Sequence, residues 1–340
     1  MENAKKRKAT IKDICQKTGL AVGTVSKYLN GGSLRKENVK KIESAISELD
    51  YKVDVYARAM KTKKTNTVGV LLPRLGNAFY GSIATAIGEE LKKNGYEMIV
   101  QESNYDPNRE LDCSNGFIER RTDGIICFLL SEKLTKFRHF NDEPIVFIER
   151  QIDEFDAECV NVNNREIVKE SIKYLIENGH TKIAGLFPAC SYTGSERKQG
   201  FIDAFNEMNL PIDNDMIYLF NENLNNEYEI ISKAIDSEKY SAIFTSNYTS
   251  TLSAIFLINE RNIKIPNDLS ILGFDNMMFT KLFTPQLTIV DQPIEEIAST
   301  AVKRVIKLIA NTKIKKKNNI LKCNLILGDS VKNIKEKLIF

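Results

Sequence analysis

The chain has 340 residues, 42% of them hydrophobic and 27% charged, with a net charge of +3. That balance is globular; it excludes a disordered, collagen-like or disulfide-scaffold chain and gives room for two or three domains, each with a real core. No run of about 18 uncharged apolar residues occurs, so no membrane-spanning helix is expected. The opening Met1-Glu2-Asn3-Ala4-Lys5-Lys6-Arg7-Lys8 is not followed by the apolar segment of a secretory signal, and a cytoplasmic location is the expectation.

Charge is unevenly placed. Residues 1–65 carry 16 Lys+Arg against 7 Asp+Glu, a net +9, and residues 66–340 carry the complementary −6. A small basic head on a mildly acidic body points to a polyanion-binding module joined to something else.

The head reads as three short helices. Thr10-Ile11-Lys12-Asp13 has the form of a capping box, with Asp13 answering Thr10 three residues later. Ile11, Ile14 and Cys15 then share one helical face, and Gly19 interrupts. A second helix is expected at about 22–29, with Val25 and Leu29 inward and Val22, Gly23, Ser26 and Lys27 on the other side, stopped by Asn30-Gly31-Gly32. A third runs over about 36–49 on the stripe Val39, Ile42, Ala45, Ile46, Leu49. Two helices joined by a tight glycine turn, closed by a third, describe a helix-turn-helix whose second helix enters a DNA major groove.

Beyond residue 66 apolar strand-like runs alternate with helical patterns. Strands are expected at 68–72, 98–101, 124–129, 145–148, 183–187, 217–220, 242–245 and 271–274, and helices at 79–94, 166–178 and 199–208 among others. Buried strands with helical crossovers make parallel sheets, and the count suits two doubly wound units. In such sheets a ligand sits outside the carboxyl ends of the strands, so two facing units enclose a cleft. No P-loop, G-x-S-x-G or metal motif is present; no enzyme activity, cofactor or metal is expected. The six cysteines, Cys15, Cys113, Cys127, Cys159, Cys190 and Cys323, are irregularly spaced, with only His139 and His180 to join them, and read as free, mostly buried thiols in a reducing compartment.

The wording of the head is more specific than its pattern. Ala9-Thr10-Ile11-Lys12-Asp13-Ile14, Thr18-Gly19-Leu20, Thr24-Val25-Ser26-Lys27 and Leu29-Asn30-Gly31 resemble the head of the lac/gal repressor family almost residue for residue. Ala57-Arg58-Ala59-Met60-Lys61-Thr62-Lys63-Lys64-Thr65 resembles that family's hinge helix, and the resemblance covers essentially the whole chain. It implies a small all-α helix-turn-helix head at 1–53, a hinge at 54–65, and an α/β core of two doubly wound parallel-sheet subdomains, periplasmic-binding-protein-like, at 66–340. The N-subdomain would take about 66–162 and 293–322, and the C-subdomain about 163–292 and 323–340, with crossings near Asn163, Asp291 and Lys322.

The same resemblance assigns DNA contact to Thr10, Val22, Gly23, Thr24, Ser26, Lys27 and Asn30 of the head and to Ala57, Arg58 and Met60 of the hinge. There are departures. Ala21 stands where the family usually has a capping Ser, so one N–H of the recognition helix is left to water or DNA. Val22 can pack on a thymine methyl and Gly23 only permits close approach, which leaves hydrogen-bonded base reading to Lys27 and Ser26. Lys27 replaces the usual Arg and lacks its planar fork. Met60 replaces a Leu that wedges into a minor-groove step, a job an apolar, flexible side chain can do.

For the effector, the resemblance points to Arg197 in Ser195-Glu196-Arg197-Lys198-Gln199-Gly200, Asp275 in Gly273-Phe274-Asp275, Asn247, Asn164, Gln292, and Phe79 as an apolar floor. Tyr248 follows Asn247 where the family usually has Asp. Glu149-Arg150, at another strand end, either lines the cleft or pairs. A guanidinium, carboxylate and amides over an aromatic floor suit a hydroxyl-rich ring, hence a sugar or sugar phosphate. The expectation is a homodimeric repressor of carbohydrate-utilisation genes, bound to palindromic operator DNA and switched by that effector. A co-repressor form sensing a nucleobase, or one sensing a protein partner, is the alternative. The tail 324–340 has no sustained leucine heptads, so no tetramer-forming zipper is expected.

Overall fold

The computed structural model describes residues 7, 9–29, 31–52, 64–129, 143–152, 158–221, 226–310 and 318–335, and the chain divides into two compact units, Met1–Thr65 and Asn66–Phe340.

The first unit begins with α1 (Ile11–Thr18). The Thr10 backbone N–H and hydroxyl both donate to Asp13 Oδ2 at 2.7 Å, which satisfies the helix entry and holds the Asp13 carboxyl below its usual range. The helix ends at Gly19, whose φ of 69° is the left-handed turn that only glycine adopts without strain; its N–H donates to Cys15 O at 2.9 Å. Next come α2 (Val22–Leu29) and α3 (Lys36–Glu48). Ile14, Val25 and Ile42, one from each helix, are fully buried together with Ala45 and Tyr51. The Tyr28 hydroxyl donates to Glu43 across α2 and α3 at 2.9 Å. On the outer side of α2, Val22 is 55% exposed, Gly23 and Lys27 are exposed, and Thr24 and Ser26 are half-buried. Thr10 is exposed at the start of α1. Asn30, Ala57, Arg58 and Met60, and the hinge segment as far as residue 63, lie outside the described residues.

In the second unit strands and helices alternate as β1 (Thr67–Leu72), α4 (Ala78–Lys93), β2 (Glu97–Glu102), α5 (Pro107–Glu119), β3 (Gly124–Phe128), β4 (Ile145–Ile148), β5 (Glu158–Val162) and α6 (Asn164–Glu177). The run continues with β6 (Ile183–Pro188), α7 (Tyr192–Glu207), β7 (Ile217–Phe220), α8 (Glu227–Asp236), β8 (Ala242–Thr245), α9 (Tyr248–Glu260) and β9 (Ser270–Phe274). It closes with α10 (Met278–Lys281), β10 (Thr288–Asp291), α11 (Ile294–Ile309), β11 (Asn318–Leu321) and β12 (Asn324–Ile326).

The strands form two six-stranded sheets, in the orders β11-β5-β4-β3-β1-β2 and β12-β10-β9-β8-β6-β7. Every pairing is parallel except β10 with β12. Parallel strands buried on both faces account for the uninterrupted apolar runs of β1, β3, β4, β8 and β9. The chain leaves the first sheet after β5, returns to it through α11, which packs on α4, and leaves again between β11 and β12.

Two differences from the sequence reading have clear causes. Helix α7 begins at Tyr192, not near 199, because Ser191 Oγ accepts from Gly194 N–H at 3.0 Å and so starts the helix through a glycine-containing turn. Gly200 within it is a close-approach residue: a Cβ there would clash with the Arg165 carbonyl oxygen at the start of α6. Strand β5 was hidden by buried polar residues. Glu158 is fully buried and makes a two-point ion pair with Arg304 of α11, and Asn161 donates to Arg150 O at 2.8 Å and Asn318 Oδ1 at 2.7 Å.

Candidate functional site

Two strand ends make the same unusual turn, one in each sheet. The residue after β4 is Glu149, with φ 57°, and its N–H donates to Val160 O of β5 at 3.1 Å. The residue after β9 is Asp275, with φ 69°, and its N–H donates to Val290 O of β10 at 2.9 Å. A left-handed backbone at a non-glycine residue is uncommon, and here it occurs twice at carboxylates.

Arg197 of α7 stands beside both. Its Nε–H donates to Asn164 Oδ1 at 2.7 Å and its Nη1 to Ser246 O at 2.6 Å. Its Nη2 is 3.5 Å from Glu149 Oε1, and its Cζ lies 3.9 Å from the centroid of the Phe274 ring. Each nitrogen therefore has a protein acceptor, one face of the guanidinium is covered, and the residue is only 3% exposed. Asp275 is held separately: Oδ2 accepts from Tyr248 N–H at 2.9 Å and Oδ1 from Gln292 Nε2 at 2.7 Å. Burial pushes the Glu149 carboxyl from its ordinary 4.5 up to about 7, against the pull of Arg197, and the nearby Asp275 charge adds to the rise. Burial also raises Asp275, opposed chiefly by Arg197 and Gln292.

This group floors an open cleft at the carboxyl ends of both sheets. One wall is Glu149 with Asn77, Phe79 and Tyr80 at the start of α4. The other holds Pro188 at the end of β6, Ser191 and Thr193 around the start of α7, Asn247 and Tyr248 at the start of α9, and Arg197 and Asp275. Three helix N-termini thus face the cleft, and each is capped by a side chain. Asn77 Oδ1 accepts from Phe79 N–H at 2.9 Å, Ser191 Oγ from Gly194 N–H, and Asn247 Oδ1 from Ser250 N–H at 2.8 Å. Phe79 meets Tyr80 edge-on at 5.4 Å, and Tyr80 meets Phe128 at 5.6 Å, so the aromatic wall is braced from behind. Among the described residues no three His, Cys, Asp or Glu side chains gather as a metal set, and no helix is long and apolar enough to cross a membrane.

A family model described as a periplasmic binding protein-like domain matches residues 172–331. The HTH-type transcriptional regulator DegA of Bacillus subtilis (strain 168) is 31% identical over 299 residues, which span 86% of this chain and 89% of that protein. The chain belongs to the LacI family of transcriptional regulators. Among other relatives, the HTH-type transcriptional regulator RegA of Clostridium saccharobutylicum is 28% identical over 94% of this chain and 98% of its own. The crystal structure of a periplasmic binding protein/LacI transcriptional regulator from Alkaliphilus metalliredigens QYMF, complexed with D-xylulofuranose, is 26% identical. It covers 78% of this chain and 99% of its own, with a TM-score of 0.72. The lac repressor dimer bound to operator shares the fold over 96% of this chain and all of its own, with a TM-score of 0.84 at 20% identity.

Of the six residues that the LacI resemblance assigns to the effector, Phe79, Arg197, Asn247 and Asp275 lie on the cleft wall. Asn164 and Gln292, each 3% exposed, stand behind it and hold Arg197 and Asp275. Glu149 both lines the cleft and pairs with Arg197, so the two readings open for it in the sequence coexist. Asn77, Tyr80, Ser191, Thr193 and Tyr248 were not singled out as cleft residues. The signal available for Asn77 and Ser191 was a capping residue before a helical run that follows a strand. Tyr248 replaces an expected Asp, yet its backbone N–H binds Asp275, a contact no side-chain identity announces.

Proposed function

We propose that this LacI-family chain is a repressor of carbohydrate-utilisation genes whose operator affinity is switched by a sugar or sugar phosphate in the cleft. The observation that carries the reading is the guanidinium of Arg197, fixed on three acceptors beside two carboxylates and opposite an aromatic wall, at the carboxyl ends of both sheets. A hydroxyl-rich ring fits such a place: apolar ring faces lie on Phe79 and Tyr80, and hydroxyls meet carboxylates and amides. The D-xylulofuranose complex of a relative and the cellobiose complex of the regulator CelR support a sugar.

In this proposal residues 1–53 form the DNA-binding head, 54–65 the hinge and 66–340 the effector core. The N-subdomain is built on the first sheet and the C-subdomain on the second. Thr10, Val22, Gly23, Thr24, Ser26 and Lys27 meet operator DNA with Asn30, Ala57, Arg58 and Met60. Phe79, Asn164, Arg197, Asn247, Asp275 and Gln292 serve the effector. Two copies bind a palindromic operator, and the lac repressor structure, a dimer bound to operator, supports the dimer. The protein acts by binding, not as an enzyme, and works in the cytoplasm.

A thermal-shift screen of the full chain against sugars, sugar phosphates and nucleobases tests the reading. A ligand at about 100 times its dissociation constant adds roughly 2.7 kcal/mol. The expected result is a saturable rise with a sugar that Arg197→Ala abolishes. Repeating it with an operator fragment separates induction from co-repression. A rise with nucleobases alone would contradict the sugar reading, and silence from a well-folded protein would move the signal to a protein partner.

A further inference from the structure

The cleft holds the usual means of gripping an anion, and each is partly used within the protein. A phosphate or carboxylate is normally bound by the fork of an arginine or by free N–H groups at a helix N-terminus. Here three of the five N–H donors of Arg197 face Asn164, Ser246 and Glu149, and Phe274 covers one face. At the N-termini of α4, α7 and α9 one N–H each is given to Asn77, Ser191 and Asn247, and the first N–H of α9 goes to Asp275. The cleft wall among the described residues then has two carboxylates, Glu149 and Asp275, against the single cation Arg197.

From this we propose that the site selects by charge: Glu149 excludes phosphorylated and carboxylated ligands, and the effector is an uncharged or amino-bearing sugar. The inference rests on the reading of the cleft as the effector site and narrows it. Of the two carboxylates, Asp275 is the structural one, with both oxygens committed to Tyr248 N–H and Gln292. Glu149 is the exposed one: its side chain keeps 13% of its surface, and its contact with Arg197 is long, at 3.5 Å. A ligand anion seated beside Arg197 meets the Glu149 charge at close range in a poorly solvated place, where like charges repel far more strongly than in water. A hydroxyl there donates to the same carboxylate, and an ammonium pairs with it. Discrimination by a misplaced like charge needs no extra contact to the favoured ligand.

The test uses the full chain and matched probes: D-glucose, D-ribose and D-xylose, their phosphate esters, and D-glucosamine, each titrated by calorimetry at constant ionic strength at pH 8. The expected result is binding confined to unphosphorylated members. In Glu149→Gln the ratio of dissociation constants, phosphate ester over parent sugar, moves at least tenfold towards the ester. Saturable binding of an ester to the wild type, lost in Arg197→Ala, overturns the charge selection and leaves the effector site standing. An unchanged ratio in Glu149→Gln also overturns it. If no probe binds either protein, the sugar reading itself fails, and this inference fails with it.

Discussion

At the scale of single residues, Glu149 sets a pH dependence. Its carboxyl ionises at about 7 in the fold and near 4.5 when unfolded. Between those values the folded chain holds more protons than the unfolded one, so stability falls as pH rises through the window and levels off above it. The melting temperature of the full chain should drop from pH 5 to pH 8, and Glu149→Gln should flatten most of that slope. Asp275, Glu227 and Asp291, raised by burial in the same direction, add to the fall, while His180, lowered by burial, opposes it. A melting temperature that climbs over this range would contradict the burial argument. Asn164 acts through Arg197: Asn164→Ala leaves Nε–H without its 2.7 Å acceptor in a buried place, and loss of a buried partner costs about 1–3 kcal/mol. The effector dissociation constant should rise by about tenfold or more, measured by calorimetry, with operator affinity in the absence of ligand preserved.

At the scale of elements, two ties deserve mutation. Helix α11 is clamped to β5 by the Arg304–Glu158 pair, with Glu158 fully buried. Removing one member of a buried pair typically costs about 3–5 kcal/mol because the other charge is stranded. Arg304→Ala should lower the unfolding free energy by that amount in a urea titration, well beyond the loss from an exposed pair such as Lys233–Glu229. In the head, Ile42 is fully buried among α1, α2 and α3. Ile42→Ala should cost roughly 2–5 kcal/mol, which a core of three short helices can scarcely absorb. Operator binding in a gel-shift assay should then vanish while the ligand response of residues 66–340 persists. How legible each element was depended on burial pattern. Strands β1, β3, β4, β8 and β9 read directly because both faces are apolar. Strand β5 did not, because Glu158 and Asn161 interrupt its apolar run and find their partners outside the strand, in Arg304, Asn319, Arg150 and Asn318.

At the scale of the whole molecule, function requires that cleft occupancy and operator affinity be linked. Linkage is reciprocal: a tenfold change in operator affinity caused by the effector must appear as a tenfold change in effector affinity caused by operator. Calorimetric titrations of sugar with and without an operator fragment check this, and a one-sided effect would refute the coupling. The DNA half should also show a steep salt dependence, with a log–log slope of about −0.9 per phosphate neutralised, that disappears when residues 1–65 are removed.

The sequence by itself determined the basic head, its three helices and the α/β alternation. These rest on local signals: charge runs, capping residues, and apolar periods that each segment carries alone. It also placed Arg197 and Asp275 at loop and strand ends, through motif wording. Only the tertiary structure decided what those residues do. The twin left-handed turns of Glu149 and Asp275, the three acceptors that hold Arg197, and the withdrawal of Asn164 and Gln292 behind the wall all join residues far apart in sequence. Pairing across two sheets is set by strand order and register, which no local pattern encodes, and the charge of the cleft follows from that pairing.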